Sequence, residues 1–405
     1  MSVKIEKTEK IPWIVEILLI VFLFAIPFES INVLGSDKGS TVSRIIGMIL
    51  FASYIVTKGR YGKIPKALIY FAVYYFFVTL RITFTNVVDY SEQYRVLLTM
   101  LQMIAMTFIT YDLFKHEYLR KDFIAAFGLS CGLLAILTFF GLATTNIETD
   151  YGDRVSAFGE NANKFGQLMA ISIIMFLSIW LERKKYHLLV FIGSLISAPF
   201  CMWALINSGS RGSLVGLLSG LFVWFIFSSF VLKKNKTSLI KQIAVILIVG
   251  IGIFAVYQFS DVAQYRWNLT FQTYDTGERT DIFYAASDMF LEKPIYGWGS
   301  VALTRELGSR LGLQSRDTHN ILLWVILEVG LLGGIPWIFG VWGCVKNSIS
   351  AATKLHDPLP IMLATTVLIC GMSSNNFQKK TLWLILAFAL SSIVIIQDIR
   401  KSKGT

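Results

Sequence analysis

The sequence is poor in charged residues. Asp, Glu, Lys and Arg make up only 16% of its 405 residues, whereas a soluble domain carries about 25%. Hydrophobic residues make up 55%, and they fall in blocks of about 18 to 22 residues, enough to cross a hydrocarbon core about 30 Å thick. This composition excludes a soluble enzyme, a disordered protein and a secreted scaffold held by disulfides.

Cysteine is also scarce, and recognisable cofactor motifs are absent. The four cysteines lie inside or at the edge of apolar blocks without paired spacing, which is typical of small buried residues rather than of disulfides or metal ligands. The sequence has no P-loop, no glycine-rich dinucleotide fingerprint and no nucleophile elbow. We therefore expect neither a cofactor nor a metal ion. No small-residue cleavage signal follows the first apolar block, which we interpret as a retained helix.

The apolar blocks predict an all-α polytopic membrane protein with about 12 transmembrane helices. The predicted spans are residues 11–30, 44–57, 67–84, 95–114, 122–142, 164–182, 187–206, 212–232, 240–258, 319–343, 358–374 and 381–398. Residues 1–258 would hold the first nine helices. Residues 259–318 would form a long, partly helical outer loop between helices 9 and 10, and residues 319–405 the last three helices and a cytoplasmic tail.

The basic residues are unevenly distributed. The net charge is +11, and the excess of positive charge lies in short loops that place both termini in the cytoplasm. It is a topology signal and gives no reason to expect nucleic acid as a partner. On the outer side arginine outnumbers lysine. Guanidinium groups contact phosphate oxygens bidentately, which favours an anionic ligand there, although arginines at helix ends also reach lipid headgroups.

The outer loop at residues 259–318 is unusually long, and structureless loops of such length are uncommon and usually functional. Within it, the stretch from Glu278 to Lys293 carries apolar residues at helical spacing. This pattern predicts a helix that lies along the membrane surface or packs on the bundle. The following residues, Pro294 to Gly299, are rich in turn formers. We therefore predict that the loop is folded.

Two ionisable residues near the end of this loop are candidates for chemistry. His319 is the only histidine on the predicted outer side. A neutral imidazole can take a proton from a hydroxyl, so His319 is a candidate general base or proton shuttle. The alternative is a residue at a helix N-terminus that is hydrogen-bonded to the backbone. Glu328 lies in an apolar run, where an ionisable residue is costly unless it is paired, and we favour a structural role for it.

Three polar clusters on the outer side contain candidate ligands for phosphate or sugar. Arg211 lies in a hinge of small residues between spans seven and eight, where backbone N–H groups favour an anion, although small residues also serve close helix packing. Arg279 opens the predicted loop helix, where neighbouring carboxylates are alternative partners. Arg154, Asn163 and Lys164 lie in the loop before span six.

Several short segments follow one another in a characteristic order and spacing. They are Arg154–Asn163, Ser210–Ser213, Arg279, Lys293–Gly299, Thr318–Leu322 and Glu328–Gly333. Together they resemble the motifs of the bacterial O-antigen ligase and O-antigen polymerase superfamily. The chain departs from the pattern at one place, since many members have a proline before the asparagine of the first segment, whereas here Ala162 precedes Asn163.

The resemblance implies a glycosyltransferase of the bacterial inner membrane whose active site faces the periplasm. The donor would be an oligosaccharide on undecaprenyl pyrophosphate, and the acceptor a lipid-linked glycan or lipid A–core. His319 would orient or deprotonate the acceptor hydroxyl, while Arg279 and Arg211 would hold the pyrophosphate leaving group. The residues implied in substrate binding are Arg154, Asn163, Lys164, Asn320 and Arg316. Such chemistry would invert the anomeric carbon and need no metal.

Polymerase and ligase share these motifs and differ in their acceptor, and we favour a repeat-unit polymerase over a ligase. In either case the further partners would be membrane lipids and a chain-length regulator. A lipid-linked oligosaccharide flippase or another transporter is a less favoured alternative, because we find no internal repeat between the two halves of the chain. A purely structural membrane protein would leave the outer arginines unexplained.

Overall fold

The computed structural model describes residues 11–31, 41–57, 64–84, 89–147, 153–228, 236–273 and 279–403 of the chain. Helices dominate these ranges, and the strands within them are two short ones that form an antiparallel hairpin. The prediction of a helical, polytopic membrane protein is confirmed.

The helices of the described ranges follow one another along most of the chain. They are α1 (Trp13–Ala25), α2 (Val42–Thr57), α3 (Lys66–Thr83), α4 (Tyr90–Leu113), α5 (Glu117–Phe139), α6 (Ala162–Leu181), α7 (Leu188–Asn207), α8 (Arg211–Ile226), α9 (Lys236–Gln258), α10 (Asp261–Thr273), α11 (Arg279–Glu292), α12 (Ser300–Arg310), α13 (Ile321–Lys354), α14 (Leu359–Gly371) and α15 (Lys380–Lys403). The predicted spans overlap α1 to α9 and α13 to α15.

Among the described residues, six helices are long and apolar enough to cross a membrane, namely α3 to α7 and α13. The other helices that overlap predicted spans contain shorter apolar segments of 10–17 residues. The number of membrane crossings therefore stays a prediction.

The core of the bundle is packed around buried aromatic side chains. The centroid of the Phe377 ring lies 5.4 Å from that of Tyr74, 5.6 Å from that of Trp383 and 6.0 Å from that of Trp337. Aromatic pairs of this kind contribute about 0.5–1.5 kcal/mol each beyond their buried area. Phe377 belongs to the loop between α14 and α15, so these contacts hold that loop against α3, α13 and α15.

Small residues let α8 approach α14 closely. Gly216 and Gly220 lie one turn apart on α8, and a Cβ on Gly216 would lie 2.6 Å from the sulfur of Cys370. The hydroxyl of Thr366 on α14 donates a hydrogen bond of 3.1 Å to the carbonyl oxygen of Gly216. This spacing of small residues is typical of membrane helices in close contact. All four cysteines are buried free thiols, as the sequence predicted.

Between α9 and α13, the described residues form three helices where the sequence predicted one. Helix α11 coincides with the helix predicted from Glu278 to Lys293, whereas α10 and α12 were not predicted. Another unpredicted element is the hairpin of β1 (Thr144–Ile147) and β2 (Arg154–Ala157). The hairpin and α10 to α12 lie at the same end of the bundle, which we call the loop end.

A kink in α13 receives the turn-rich segment Pro294–Gly299. At Gly330 the backbone leaves the helical conformation, with φ 61° and ψ −161°, a region that is essentially restricted to glycine. Backbone hydrogen bonds of 2.7–3.1 Å join the segment to the kink on both sides. Their donor and acceptor residues are Trp298 and Leu327, Gly299 and Glu328, Leu331 and Pro294, and Leu332 and Ile295.

Two glycines allow this contact between backbones. A Cβ on Gly297 would lie 2.6 Å from backbone atoms of Glu328 and Gly330, far inside van der Waals contact. A Cβ on Gly330 would lie 2.5 Å from the amide nitrogen of Tyr296 and closer still to the carbonyl group of Ile295. Two segments of the superfamily resemblance, 293–299 and 328–333, thus form one unit, which we call the α13 joint.

Glu328 lies at the α13 joint and is buried, with an exposed fraction of 1%. Its carboxylate accepts hydrogen bonds from the hydroxyl of Tyr74 on α3 and from the hydroxyl of Ser300 at the start of α12. The side chain therefore links α3, α12 and α13, in agreement with the structural role that we favoured.

At the opposite end of the bundle, Arg120 is buried and joins α5 to α15. Its guanidinium group donates hydrogen bonds to the carbonyl oxygen of Phe388 (3.0 Å) and to the hydroxyls of Ser391 (2.6 Å) and Ser392 (3.2 Å). The carboxylate of Asp357 lies 3.8 Å away. These contacts satisfy a charge that is otherwise costly to bury.

Candidate active site

Four of the described arginines converge at the loop end, and we call them the arginine cluster. They are Arg154 at the start of β2, Arg211 at the start of α8, Arg266 on α10 and Arg279 at the start of α11. The charges of the other three members all act on Arg154. Three predicted site residues, Arg154, Arg211 and Arg279, are thus brought together from distant parts of the chain.

Arg154 is fixed in place by its surroundings. Its Nε donates a hydrogen bond of 2.8 Å to the carbonyl oxygen of Ser208, and its Nη2 donates one of 2.7 Å to Oδ1 of Asn163. Gly209 has a φ of 60°, and a Cβ there would lie 3.0 Å from Cδ of Arg266 and 3.4 Å from Nε of Arg154. The small residue lets both arginines pack on the same turn, so Asn163 and the hinge position the cluster.

The charges of the cluster oppose one another. Burial is the largest cause that lowers the pKa of Arg154, to about 9, and repulsion from Arg266, Arg279 and Arg211 lowers it further. Burial also lowers the pKa of Arg279, with a second contribution from Arg211. A bound anion would offset this repulsion. The cluster is therefore suited to hold phosphate oxygens, which accept paired hydrogen bonds from guanidinium groups.

Three helix N-termini lie beside the cluster, and helix N-termini favour anions. Arg279 and Arg211 themselves open α11 and α8, and the Ser210 hydroxyl caps α8 by accepting a hydrogen bond of 3.3 Å from the amide of Ser213. The Ser213 hydroxyl in turn donates a hydrogen bond of 3.1 Å to the carbonyl oxygen of Asn163 in the first turn of α6. The starts of α6 and α8 are thus joined at the cluster.

His319 lies immediately before α13 in an unusual backbone conformation. Its φ is 49°, which is uncommon for a residue other than glycine, and its amide donates a hydrogen bond of 2.9 Å to Oδ1 of Asp317. The cap of α13 is Asn320, whose Oδ1 accepts hydrogen bonds from the amides of Leu322 (2.9 Å) and Leu323 (3.2 Å). The side chain of Asn320 therefore caps α13.

The loop between α14 and α15 connects the turn of His319 with the arginine cluster. Nδ2 of Asn320 donates a hydrogen bond of 3.3 Å to the carbonyl oxygen of Met372. Nη2 of Arg279 donates one of 3.2 Å to the carbonyl oxygen of the next residue, Ser373. Because adjacent carbonyl groups accept these two bonds, the turn that contains His319 lies near Arg279.

A cavity of about 720 Å³ adjoins this site, and we call it the polar cavity. Two segments that were predicted to contain site residues contribute to its wall through Lys164 and Asp317. Arg316 precedes Asp317, and its amide donates a hydrogen bond of 2.8 Å to the carbonyl oxygen of Thr304 on α12. The described lining residues are Glu29, Arg44, Glu92, Arg95, Val96, Thr99, Glu160, Lys164, Ser300, Val301, Thr304, Asp317, Trp324, Asn375, Gln378 and Lys379.

Residues 196–338 match the family model described as O-Antigen ligase. The matched range contains Arg211, Arg279 and His319, whereas Arg154 lies before it. This match supports the resemblance of the sequence motifs to the O-antigen ligase and polymerase superfamily. A search of curated proteins found no match for the chain. The family match and the apolar helices together support a multi-pass membrane enzyme that transfers glycans.

Two parts of the candidate site were not predicted from the sequence. Arg266 belonged to the set of outer arginines, but α10 was not predicted, so nothing placed this residue beside Arg154. The loop between α14 and α15 contributes Asn375, Gln378 and Lys379 to the polar cavity. The available signal for that loop was its run of polar residues between two apolar blocks.

Salt bridges hold this loop against the rest of the enzyme. Nζ of Lys379 lies 3.2 Å from Glu29 and 3.1 Å from Glu160, and Nζ of Lys380 lies 2.8 Å from Glu29. Burial disfavours the Glu29 carboxylate, but the charges of Lys380 and Lys379 outweigh burial and lower its pKa to about 2. Burial likewise opposes the charge of Lys379, yet Glu29 and Glu160 raise its pKa. The wall of the polar cavity is thereby tied to α1 and to the start of α6.

Proposed function

We propose that this enzyme transfers a glycan from undecaprenyl pyrophosphate to a hydroxyl of an acceptor sugar, as a repeat-unit polymerase. The observation that carries the proposal is the arginine cluster. Its four guanidinium groups match the several oxygens and the high negative charge of a pyrophosphate better than those of a single phosphate. The polar cavity beside it offers space for an acceptor glycan.

In the proposed reaction, the acceptor oxygen attacks the anomeric carbon of the donor sugar while the bond from that carbon to the pyrophosphate oxygen breaks. The electron pair of the broken bond leaves with undecaprenyl pyrophosphate, on which negative charge increases. Guanidinium groups that are already in position stabilise this charge as it develops. Attack from the side opposite the leaving group inverts the anomeric configuration.

His319 is the proposed general base and takes the proton of the attacking hydroxyl, a role that typically contributes about 10²–10⁴-fold to the rate. Its position supports this assignment, because its turn lies between the arginine cluster and the polar cavity. Asp317 holds the His319 amide at 2.9 Å and also lines the cavity. A donor at the cluster and an acceptor in the cavity would meet at this turn.

The remaining predicted residues have proposed roles around this centre. Asn163 positions Arg154 through its hydrogen bond of 2.7 Å, and Lys164 contacts sugar from the wall of the polar cavity. Asn320 and Arg316 flank the catalytic turn and are proposed to contact substrate there. Arg211 and Arg279 contact the leaving group directly.

Arginine charge takes the place of a divalent cation in this proposal, so transfer proceeds without a metal or a cofactor. We further propose that the loop end faces the periplasm and that both termini are cytoplasmic, since the described basic residues Lys115, Arg183 and Lys354 lie at the opposite end of the bundle. The enzyme would then work in the bacterial inner membrane. Its further partners would be membrane lipids and a chain-length regulator.

The test is an assay of the purified protein in nanodiscs. The assay contains EDTA and, as donor, the native undecaprenyl-pyrophosphate-linked repeat unit. A ladder of longer lipid-linked glycans is expected from this donor alone. Arg279→Lys is expected to lower kcat/KM by about tenfold or more, because an ammonium group loses bidentate contact. His319→Ala is expected to lower kcat by about 10²-fold or more.

Arg310→Lys is the matched control for Arg279→Lys. Arg310 lies in the same loop region but pairs with Glu292 (2.8 Å) and Glu306 (2.9 Å), so its exchange should leave kcat/KM nearly unchanged. Product that forms only after lipid A–core is added would identify a ligase instead. Full activity of both Arg279→Lys and His319→Ala would contradict the mechanism, and no product with either acceptor would favour a transporter.

A further inference from the structure

An apolar crevice of about 240 Å³ lies between α2 and α4, away from the arginine cluster. Its lining includes Met48 and Phe51 on α2 and Leu101 on α4, which are 52%, 41% and 47% exposed at the surface of the bundle. Phe22 on α1 contributes a buried ring to the same lining. The crevice therefore offers a hydrocarbon chain an apolar wall that is open to the membrane.

The crevice and the polar cavity meet at Arg44, which lines both of them. Its Nε donates a hydrogen bond of 3.0 Å to Oε1 of Gln102, and its Nη2 donates one of 3.3 Å to Oγ1 of Thr99. Lys380 also lines the crevice, and its ammonium group lies 2.8 Å from Glu29 in the wall of the polar cavity. An apolar space and a polar space thus join beside two basic side chains.

The polar cavity is separate from the arginine cluster but close to it. Asn163 contacts the cluster through Arg154, whereas the next residue, Lys164, lines the cavity. Likewise, the loop between α14 and α15 reaches the cluster at Ser373 and the cavity at Asn375. The start of α6 and the loop between α14 and α15 therefore contact the arginine cluster with one residue and line the polar cavity with another.

The charges of the polar cavity differ from those of the cluster. Among its described lining residues, acidic and basic side chains are equal in number: Glu29, Glu92, Glu160 and Asp317 against Arg44, Arg95, Lys164 and Lys379. Carboxylates accept hydrogen bonds from sugar hydroxyls but repel a pyrophosphate. The cavity therefore suits a glycan, and the junction at Arg44 suits its phosphate.

We propose that the crevice and the polar cavity together bind the acceptor as a phosphorylated glycolipid, with its hydrocarbon chain between α2 and α4, its phosphate at Arg44 and its sugars extending toward Asp317. This inference rests on the proposed function, because it assigns the second substrate of the same site. The enzyme would then hold two lipid-linked substrates, the donor at the arginine cluster and the acceptor on the α2–α4 side.

Photo-crosslinking tests this site without turnover. Three probes carry a diazirine in the hydrocarbon chain: an undecaprenyl-pyrophosphate-linked repeat unit, lipid A–core, and a phosphatidylglycerol without sugar. We expect one of the two glycolipid probes to label α2 and α4, and we expect the same glycolipid without diazirine to compete with this labelling. The first probe would identify the acceptor of a polymerase and the second that of a ligase. Equal labelling and competition by phosphatidylglycerol would overturn the proposal, because the crevice would then hold ordinary lipid.

Two variants locate the binding determinants. Ala105→Phe fills the crevice from α4 and is expected to abolish glycolipid labelling of α2 and α4, whereas Ala52→Phe makes the same change on an exposed part of α2 outside the crevice and should leave it intact. Arg44→Gln is expected to weaken glycolipid competition about tenfold. Unchanged labelling in Ala105→Phe would refute the site.

The two proposals fail in different ways. Arg279→Lys is expected to lower kcat/KM for transfer but to keep labelling of α2 and α4, because the arginine cluster does not line the crevice. If no donor supports transfer but glycolipid labelling survives, the proposed function fails while the binding site stands. If transfer occurs but labelling of α2 and α4 is the same in Ala105→Phe as in wild type, the acceptor binds elsewhere.

Discussion

Replacing Gly330 by alanine is expected to break the α13 joint. The backbone at Gly330 has φ 61° and ψ −161°, a region that non-glycine residues essentially do not populate. The added Cβ would also lie 2.5 Å from the amide nitrogen of Tyr296. The atoms that this Cβ would meet belong to the backbone of Ile295 and Tyr296. Rotation of a side chain therefore cannot relieve the contact.

The expected magnitude follows from two contributions. The backbone conformation costs an alanine about 1–3 kcal/mol, and crowding by an added methyl group costs about 1–3 kcal/mol. If the segment 294–299 moved away instead, it would lose four backbone hydrogen bonds of about 1 kcal/mol each. By either route, we expect the free energy of unfolding to fall by about 3–5 kcal/mol.

Two measurements check this expectation in nanodiscs. Thermal unfolding reports the loss of stability, and hydrogen exchange reports the joint itself, because the amides of Trp298 and Gly299 are protected by their bonds to Leu327 and Glu328. Both the midpoint of unfolding and the protection of these amides should fall in Gly330→Ala.

Gly312→Ala is the matched control. Gly312 also has a positive φ, 71°, but a Cβ there would meet no atom within 4 Å, so this variant carries only the backbone cost of about 1–2 kcal/mol. It should leave exchange at the joint unchanged. The reasoning is refuted if Gly330→Ala unfolds at the same temperature as Gly312→Ala with full protection of Trp298 and Gly299.

Three further predictions concern buried charges. Glu328→Ala removes the acceptor of the Tyr74 and Ser300 hydroxyls and is expected to lower the free energy of unfolding in mixed micelles by about 2–5 kcal/mol. Glu328→Gln keeps an acceptor and should lower this free energy by at most about 1 kcal/mol. Equal effects of the two variants would contradict the structural role of Glu328. The pKa of Glu29 falls from its ordinary 4.5 to about 2 on folding, so its carboxylate contributes stability that is fully present above pH 4.5 and is lost as the pH falls toward 2. The difference in thermal midpoint between wild type and Glu29→Gln should shrink over that window, and a constant difference would argue against the salt bridges. Arg120→Met removes the hydrogen bonds from α5 to α15 at the end of the bundle opposite the site. This variant should lower the thermal midpoint, while kcat at saturating donor stays near that of wild type. A selective loss of kcat would show that Arg120 has a role in transfer.

The helical part of the fold was predictable because long apolar blocks leave few alternatives in a membrane. Each predicted span overlaps a helix, and the apolar residues at helical spacing after Glu278 located α11. Helix α13 continues to Lys354, beyond the predicted end at residue 343, since its polar last turns gave no hydropathy signal. The kink at Gly330 had no local signal either, because its conformation depends on contact with the segment 294–299.

The sequence predicted residue types for the candidate site but not their arrangement. The excess of arginine on the predicted outer side indicated an anionic ligand, and Arg154, Arg211 and Arg279 do lie together. Arg266 was not assigned because α10 has no strong apolar periodicity and its position relative to Gly209 depends on tertiary packing. The hairpin and the loop between α14 and α15 escaped prediction for the same reason, since short polar segments take their conformation from their neighbours.

The arginine cluster is divided between two parts of the enzyme. Arg154 and Arg211 belong to the hairpin and the bundle, while Arg266 and Arg279 belong to helices between α9 and α13. Packing those helices onto the bundle brings like charges together, whereas an anion between them turns the repulsion into attraction. Anion affinity and helix packing are therefore coupled, and such coupling is reciprocal. In the proposed reaction, departure of the leaving group would weaken the packing of α10 and α11 by the same free energy that their packing adds to its binding.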